Sequence, residues 1–278
     1  MCAPLQARKK LIRHGVWRFI LFCFLGIALP AVLAQTTETP GFYPDGESLM
    51  RKVIEAMPQT QMKVNADLQS KGKGGKTEQL LHVEMVMDWY AEEPMALYTI
   101  RDAFGTTLEA LKMVRPALGE METYYYKGDP LAGSPLPVLF DRIQQTDISW
   151  VDLSLSFLWW PHGKTTGSEK IKGRLCYIVE VPSPAPGPSN YGGVRLWIDP
   201  QVYVLLQAVA LDSDKKEAKR LQVKSFKKIN GVWMISDLEI QDLVSKHKTL
   251  LRVRQIDMKE KPPAQEEPAA PDGEDAGS

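Results

Sequence analysis

Two hydrophobic periods alternate along this chain. Leu49, Val53, Ile54 and Met57 recur at helical spacing behind two residues able to cap a helix start, Asp45 and Ser48, and Pro58 ends the run. The period then falls to two. Over residues 60–69, Met62, Val64, Ala66 and Leu68 alternate with Gln61, Lys63, Asn65 and Asp67. After the turn KGKGG, Leu81, Val83, Met85, Met87 and Trp89 alternate with His82, Glu84, Val86 and Asp88. This is a hairpin with one greasy and one mostly wet face. MALYTIRDAF, TTLEALKMVRP and METYYYKG continue as strands. A helical interval covers residues 135 to about 160. Strands then resume at EKIKGRLCYIVEVP, GGVRLWIDP, VYVLLQAVAL, KRLQVKSFKKI, VWMISDLEIQDL and TLLRVRQIDM. Asn230-Gly231 between two of them is a hairpin signal with a mechanism, since both turn positions favour positive φ. About ten or eleven antiparallel strands in meander order predict a mainly β fold, either a large curved sheet or partly closed barrel, or a two-sheet sandwich. Helical patches before and between the strands favour the curved sheet.

One stretch fits neither period cleanly. TDISWVDLSLSFLWWPHGK, residues 146–164, holds Trp150, Trp159 and Trp160. Ser149 and Asp152 make an S-x-x-D capping box, which predicts a short helical turn starting at Ser149. Yet Val151, Leu153, Leu155 and Phe157 alternate with Asp152, Ser154 and Ser156 as a strand would. A membrane-seeking tip is a third alternative, and Trp159 and Trp160, just before Pro161, are the side chains expected to be exposed.

Composition adds a compartment. Arg8, Lys9, Lys10, Arg13 and Arg18 precede an apolar run at 19–28, and Val32-Leu33-Ala34 fits a small-residue cleavage rule. Residues 1–34 are therefore expected to be a signal peptide cut between Ala34 and Gln35, with an uncleaved anchor as the alternative. Export leaves Cys176 alone, so the domain must hold by burial rather than by a disulfide. It also leaves 29 basic against 34 acidic residues, without the basic excess expected of a nucleic-acid binder. Residues 35–44 form a linker and 45–258 a single domain. Residues 259–278 form an acidic tail, rich in Pro and Ala and lacking aromatics, whose composition predicts disorder.

Candidate chemistry is sparse. His82, Glu84 and Asp88 share one strand face and could imitate a metal cluster, but a solvated strand face explains them as well. No G-x-S-x-G elbow is present, Cys176 has no base in reach of its pattern, and KGKGG opens a strand rather than a helix. No catalytic residue, metal or cofactor is expected. The greasy face says more: Met62, Met85, Met87, Met95 and Met113 should lie on neighbouring strands beside Trp89 and Leu97, and methionine suits surfaces that adapt to variable apolar ligands. The alternative is an ordinary core facing the helices.

Four short pieces in order carry a resemblance: TDISWVDL at 146–153, GRLCYIVE at 173–180, LWID at 196–199 and INGVW at 229–233. In them the chain resembles the LolA-like outer-membrane lipoprotein-sorting proteins, over about the last half of the domain. The resemblance implies an unclosed antiparallel β-barrel with a helical lid on its concave side. It implies a periplasmic carrier of lipoprotein or lipid acyl chains on their way to the outer membrane; a monomer is expected, with an inner-membrane exporter and an outer-membrane acceptor as candidate partners. The expected cavity lining is Met62, Val64, Val83, Met85, Met87, Trp89 and Leu97 from the strands, with Leu155 and Trp159 from the lid. No motif carries over a cargo-contacting arginine; Arg101 matches by position only. A non-enzymatic binding module on the same fold, sensing envelope components or assisting an exporter, is the rival expectation.

Overall fold

A computed structural model describes residues 43–259, apart from 59, 90, 117–119, 188–189 and 230. The expected signal segment, almost all of the 35–44 linker and the tail from 260 onward lie outside the described residues. So does Asn230 of the hairpin signal.

The chain enters through helix α1 (Gly46–Glu55), capped by the Asp45 carboxylate, which accepts from the Ser48 amide at 2.8 Å. Six strands follow: β1 (Met62–Lys71), β2 (Thr77–Asp88), β3 (Met95–Arg101), β4 (Thr107–Val114), β5 (Glu122–Lys127) and β6 (Ala132–Ser134). A crossover containing helix α2 (Trp150–Ser154) leads to seven more. These are β7 (Lys164–Ile171), β8 (Arg174–Pro182), β9 (Gly193–Asp199), β10 (Val204–Leu211), β11 (Glu217–Ile229), β12 (Val232–Asp242) and β13 (Lys248–Met258). All thirteen belong to one antiparallel sheet, in the order β6-β5-β4-β3-β2-β1-β13-β12-β11-β10-β9-β8-β7. The sandwich alternative is therefore wrong. The count exceeds ten or eleven because β6 is only three residues long and because EKIKGRLCYIVEVP is a hairpin rather than one strand. Lys172 (φ 50°) and Gly173 (φ 82°) turn it back on itself. At the other hairpin, Ile229 pairs directly with Val232 across a two-residue link holding Gly231 at φ 85°.

This order constrains everything else. The chain starts in the middle of the sheet, meanders out to one edge, jumps to the opposite edge and meanders back until β13 pairs with β1. In a flat sheet, twelve spacings of roughly 4.8 Å would hold β6 and β7 about 58 Å apart. The sheet curls instead, since side chains from both of its halves share one core. Bulges interrupt β13 at Arg254, opposite Asn65/Ala66, β10 at Leu205/Gln207 and β11 at Val223/Ser225, each adding local bend and twist. The result is one apolar core running from Tyr125 on β5 through Leu68, Ile240 and Leu196 to Val179 on β8, under α1, α2 and the aromatic residues that follow α2. α1 is laid close against the end of the crossover: a Cβ on Gly46 would come within 2.6 Å of the Gly163 carbonyl oxygen. No side chain larger than hydrogen fits between those backbones without movement.

A second, smaller cluster of Cys176, Trp197, Leu206, Val209 and Leu211 lies on the sheet's other face. The β7–β8 turn reaches back over it. Lys172 Nζ donates to the Val223 and Lys224 carbonyls, which the β11 bulge turns outward, at 3.0 and 3.1 Å. Burial, with Asp199 nearby, pushes the Cys176 thiol up to about 11. It is a packing residue and stays protonated.

Three buried polar fastenings hold the crossover to the sheet. At α2, Asp152 accepts from the Ser149 amide (2.9 Å), from Ser149 Oγ (2.8 Å) and from Tyr191 Oη (2.8 Å), and pairs with Lys219 Nζ at 2.8 Å. The Asp152 amide returns a bond to Ser149 Oγ, completing the capping box the sequence predicts. Ahead of it, fully buried Asp147 takes Thr249 Oγ1 at 2.9 Å and His247 Nδ1 at 2.6 Å, and lies 3.5 Å from Arg142. Further ahead, Gln144 Nε2 donates to Glu109, a carboxylate buried on the core face of β4 that also accepts from Tyr125.

Burial of Lys219 disfavours its charge, but the adjoining Asp152 carboxylate outweighs that and raises its pKa above the usual lysine value. Lys219→Met strands a buried carboxylate and is expected to destabilise the fold by about 3–5 kcal/mol, read as a lower midpoint in urea denaturation. His247 gives a pH signature. Burial alone would lower its pKa, but its bond to Asp147, the charge of Asp147 and then Glu78 raise it. A histidine raised in the folded state stabilises fully below its unfolded value, near 6.5. That stability is lost as pH rises through the folded value. The urea midpoint should therefore fall on going from about pH 6 to about pH 8.5, and His247→Gln should flatten that fall.

Candidate functional site

The fastenings all lie before Leu155. At Leu155 the backbone flips to φ 52°, ending α2 after five residues, and a 3-10 turn (Ser156–Trp159) carries the chain off at a new angle. A leucine in the left-handed region costs about 1–3 kcal/mol and persists only where its surroundings enforce it. The flip turns Leu155 and Trp159 toward the sheet while Phe157 and Leu158 stay in the core. Among the described residues, no hydrogen bond joins residues 155–160 to a strand. They meet the sheet through apolar surface and through Trp159, whose ring sits 5.8 Å from that of Trp89. The next anchor is on α1, where Glu47 accepts from the His162 amide at 2.7 Å.

Between this unfastened end and the sheet lies a cavity in two lobes. One, of about 190 Å³, is lined by Met62, Val64, Met85, Met87 and Trp89 of the first strands, by Leu155, Leu158 and Trp159, and by Tyr203, Phe226, Trp233 and Met234 across the way. No charged side chain lines it. The other, of about 200 Å³, runs toward β4 past Met113 and ends at Glu55 and Arg115. Met57, Pro58, Tyr98, Ser154, Trp89 and Trp159 line both, so the tryptophan pair stands at the partition. Burial pushes the Tyr98 phenol well above its ordinary pKa, so it contributes only a neutral hydroxyl. The indole Nε1 of Trp89 is buried without a hydrogen-bond partner. Such a group costs about 1–3 kcal/mol, and here the cost falls at the seam between lid and sheet.

Seven of the nine residues expected to line a cavity are brought together there: Met62, Val64, Met85, Met87, Trp89, Leu155 and Trp159. Val83 shares their face but is packed out of reach in the core, 2% exposed. Leu97 is on the wrong side of the sheet. Met85 pairs with Tyr98 and Val86 with Leu97, so Ala96, Tyr98 and Ile100 face the lid while Leu97 points with Val86 and Lys112 to the outer face. Met95 shares the outer side, whereas Met113 does reach the second lobe. Arg101 is also on the outer face, 3.7 Å from Glu84. Trp160, expected to be exposed, is buried against Phe140 and Phe157. Only Trp159 of the pair faces open space.

The polar strand face is consumed by cross-strand pairs. His82 meets Asp67 at 2.9 Å, Glu84 meets Lys63 at 2.7 Å, and Asp88 accepts from Gln61 and the Ala91 amide. Ser70, His247 and Asp147 do stand in the order nucleophile, base, acid. However, Ser70 Oγ is 3.4 Å from His247 Nε2, looser than the roughly 2.6–3.2 Å of an activated serine, and Glu78 competes for the same nitrogen at 3.3 Å. Ser70 is buried and neither lobe reaches it. The geometry fastens the crossover to β13.

Comparison with known proteins places this architecture. A family model described only as an uncharacterized protein matches residues 139–265, from the crossover through β13. No curated protein matches the chain. Among solved structures, a DUF1329 family protein from Desulfovibrio piger is similar at 15% identity, with 77% of this chain and 91% of that one covered and a TM-score of 0.64. A putative outer membrane lipoprotein-sorting protein domain from Vibrio parahaemolyticus is similar at 12% identity, covering 77% and 92%, with a TM-score of 0.64. A LolA superfamily protein from Nitrosomonas europaea is similar at 16% identity, covering 79% and 96%, with a TM-score of 0.61. Likeness at such identities establishes fold alone, and this chain shares with these three structures the fold of a single unclosed antiparallel sheet.

Proposed function

We propose that the protein is a non-enzymatic periplasmic carrier that shields acyl chains of lipids or lipoproteins in the cavity between lid and sheet. The observation that carries this reading is the 190 Å³ lobe, lined by apolar and aromatic residues with one serine, Ser154, and by no charge. A carrier must replace the burial an acyl chain has in a membrane, about 0.8 kcal/mol per CH₂, with burial in protein. Methionines at 62, 85, 87 and 234 give that wall side chains able to re-pack around chains of different length. The signal-like N-terminal segment supports export to the periplasm, where an inner-membrane exporter would load the carrier and an outer-membrane acceptor would unload it. It would act as a monomer.

Native mass spectrometry of the gently purified chain tests this. Co-purified phospholipid or acylated peptide is expected, and a protein that is empty and takes up no acyl compound on incubation would sink the reading. Met85→Asp places a charge in the lobe and should abolish co-purification. Leu97→Asp, on the outer face, should leave it intact. Lipid retained by a folded Met85→Asp variant would mean that this wall does not contact cargo.

A further inference from the structure

The rim of the apolar lobe has a chemistry that its interior lacks. Tyr203 and Trp233 both line the lobe, and each carries a lysine ammonium over its ring. Lys52 Nζ is 4.9 Å from the centroid of Tyr203 and 3.2 Å from its hydroxyl; Lys228 Nζ is 5.8 Å from the centroid of Trp233. Trp233 is 48% exposed, and both lysines are exposed, which puts these pairs at the mouth rather than the floor. They come from separate elements, Lys52 from α1 and Lys228 from β11, and each sits over an aromatic residue that lines the lobe. Neither is ion-paired with an acid among the described residues, and no acidic side chain lines this lobe. Tyr203 is held at φ 49°, a strained conformation for a bulky residue, so its placement at the rim is enforced by the β9–β10 turn. An aromatic body toward the apolar space with a cation at its wet end is the arrangement that suits an amphiphile's junction between chain and head.

We infer that the two lysine–aromatic pairs form a headgroup subsite, so that the cargo is an amphiphile with an anionic, phosphate-like head at the mouth and its acyl chain in the apolar lobe. The inference rests on the carrier reading and narrows its cargo class. Lys52 and Lys228 would supply charge-assisted hydrogen bonds to the head oxygens, while Tyr203 and Trp233 cover the first methylenes. Neutral amphiphiles of equal chain length would lose the head contacts and keep the chain contacts.

Titration calorimetry on the full chain with dodecyl phosphate, dodecanol and inorganic phosphate separates the terms. Wild type should bind dodecyl phosphate at least about tenfold more tightly than dodecanol. Inorganic phosphate alone should give no saturable heat over the same range. The Lys52→Met/Lys228→Met double variant changes two exposed side chains. It should bind dodecanol as wild type does and lose the preference for the phosphate. Equal affinity of wild type for the two amphiphiles overturns the subsite and leaves the carrier reading standing. Binding of neither overturns both. Inorganic phosphate binding as tightly as dodecyl phosphate would show a free-anion site instead, and a preference retained in the double variant would show that these lysines are not its source. If the double variant lost only its attachment to vesicles rich in phosphatidylglycerol, the lysines would serve a membrane surface and the headgroup subsite would fall.

Discussion

The placement of the lid depends on one buried carboxylate. Asp152 caps its own helix, accepts from Tyr191 and pairs with Lys219 while 3% exposed. A carboxylate taken out of water is tolerated only when its lone pairs are spoken for, and here three elements supply the partners. Tyr191 comes from the β8–β9 connection and Lys219 from β11, so the bonds that satisfy Asp152 also fix where the crossover passes over the far half of the sheet. Asp147 does the same toward β13 through Thr249 and His247, and Gln144 toward β4 through Glu109. A buried polar group with several partners has few alternative positions, so these bonds specify geometry more than they add net stability.

The topology explains why such a segment exists. A thirteen-strand sheet whose chain leaves one edge and re-enters at the other needs a connection across its face, and that connection buries the face it crosses. The fastenings cluster in the first part of the crossover. Between Leu155 and Trp160 apolar contact alone holds it to the sheet, and there the packing leaves space. The cavity is thus the region where lid and sheet meet without polar bonds to draw them together.

The sequence made some of this legible and concealed the rest for identifiable reasons. Ser149 and Asp152 declare a helix start because a capping box is local and its spacing is fixed. Met62, Met85 and Met87 fall on the right face because, over 62–68 and 81–89, polar residues hold every position of the other face but Val86. Leu97 misleads because MALYTIR has apolar side chains on both parities, Leu97 on one and Ala96, Tyr98 and Ile100 on the other, and only pairing with β2 selects the face. Tyr203, Trp233, Met234 and Ile256 escape notice altogether. They reach the lobe because β13 pairs with β1, a contact between residues nearly two hundred positions apart. Trp160 reads as exposed beside Pro161 but is buried, because the backbone flip at Leu155 has no sequence mark of its own.

That flip also bears on how the cavity would be filled. Each lobe is smaller than the roughly 300 Å³ at which small-molecule sites begin, and a long acyl chain would have to occupy both and displace the Trp89–Trp159 partition. The closed arrangement is poorly suited to resist this. It holds Leu155 in a left-handed conformation, leaves the Trp89 indole N–H without an acceptor, and ties residues 155–160 to no strand by hydrogen bonds. Burial of a few methylenes, at about 0.8 kcal/mol each, is comparable to the cohesion that a displaced tryptophan ring would give up. The fastenings at Asp147 and Asp152 lie outside the lobes and need not break. On the carrier reading, cargo therefore widens the cavity by moving the apolar end of the lid about its polar root, and the curled sheet can remain as it is.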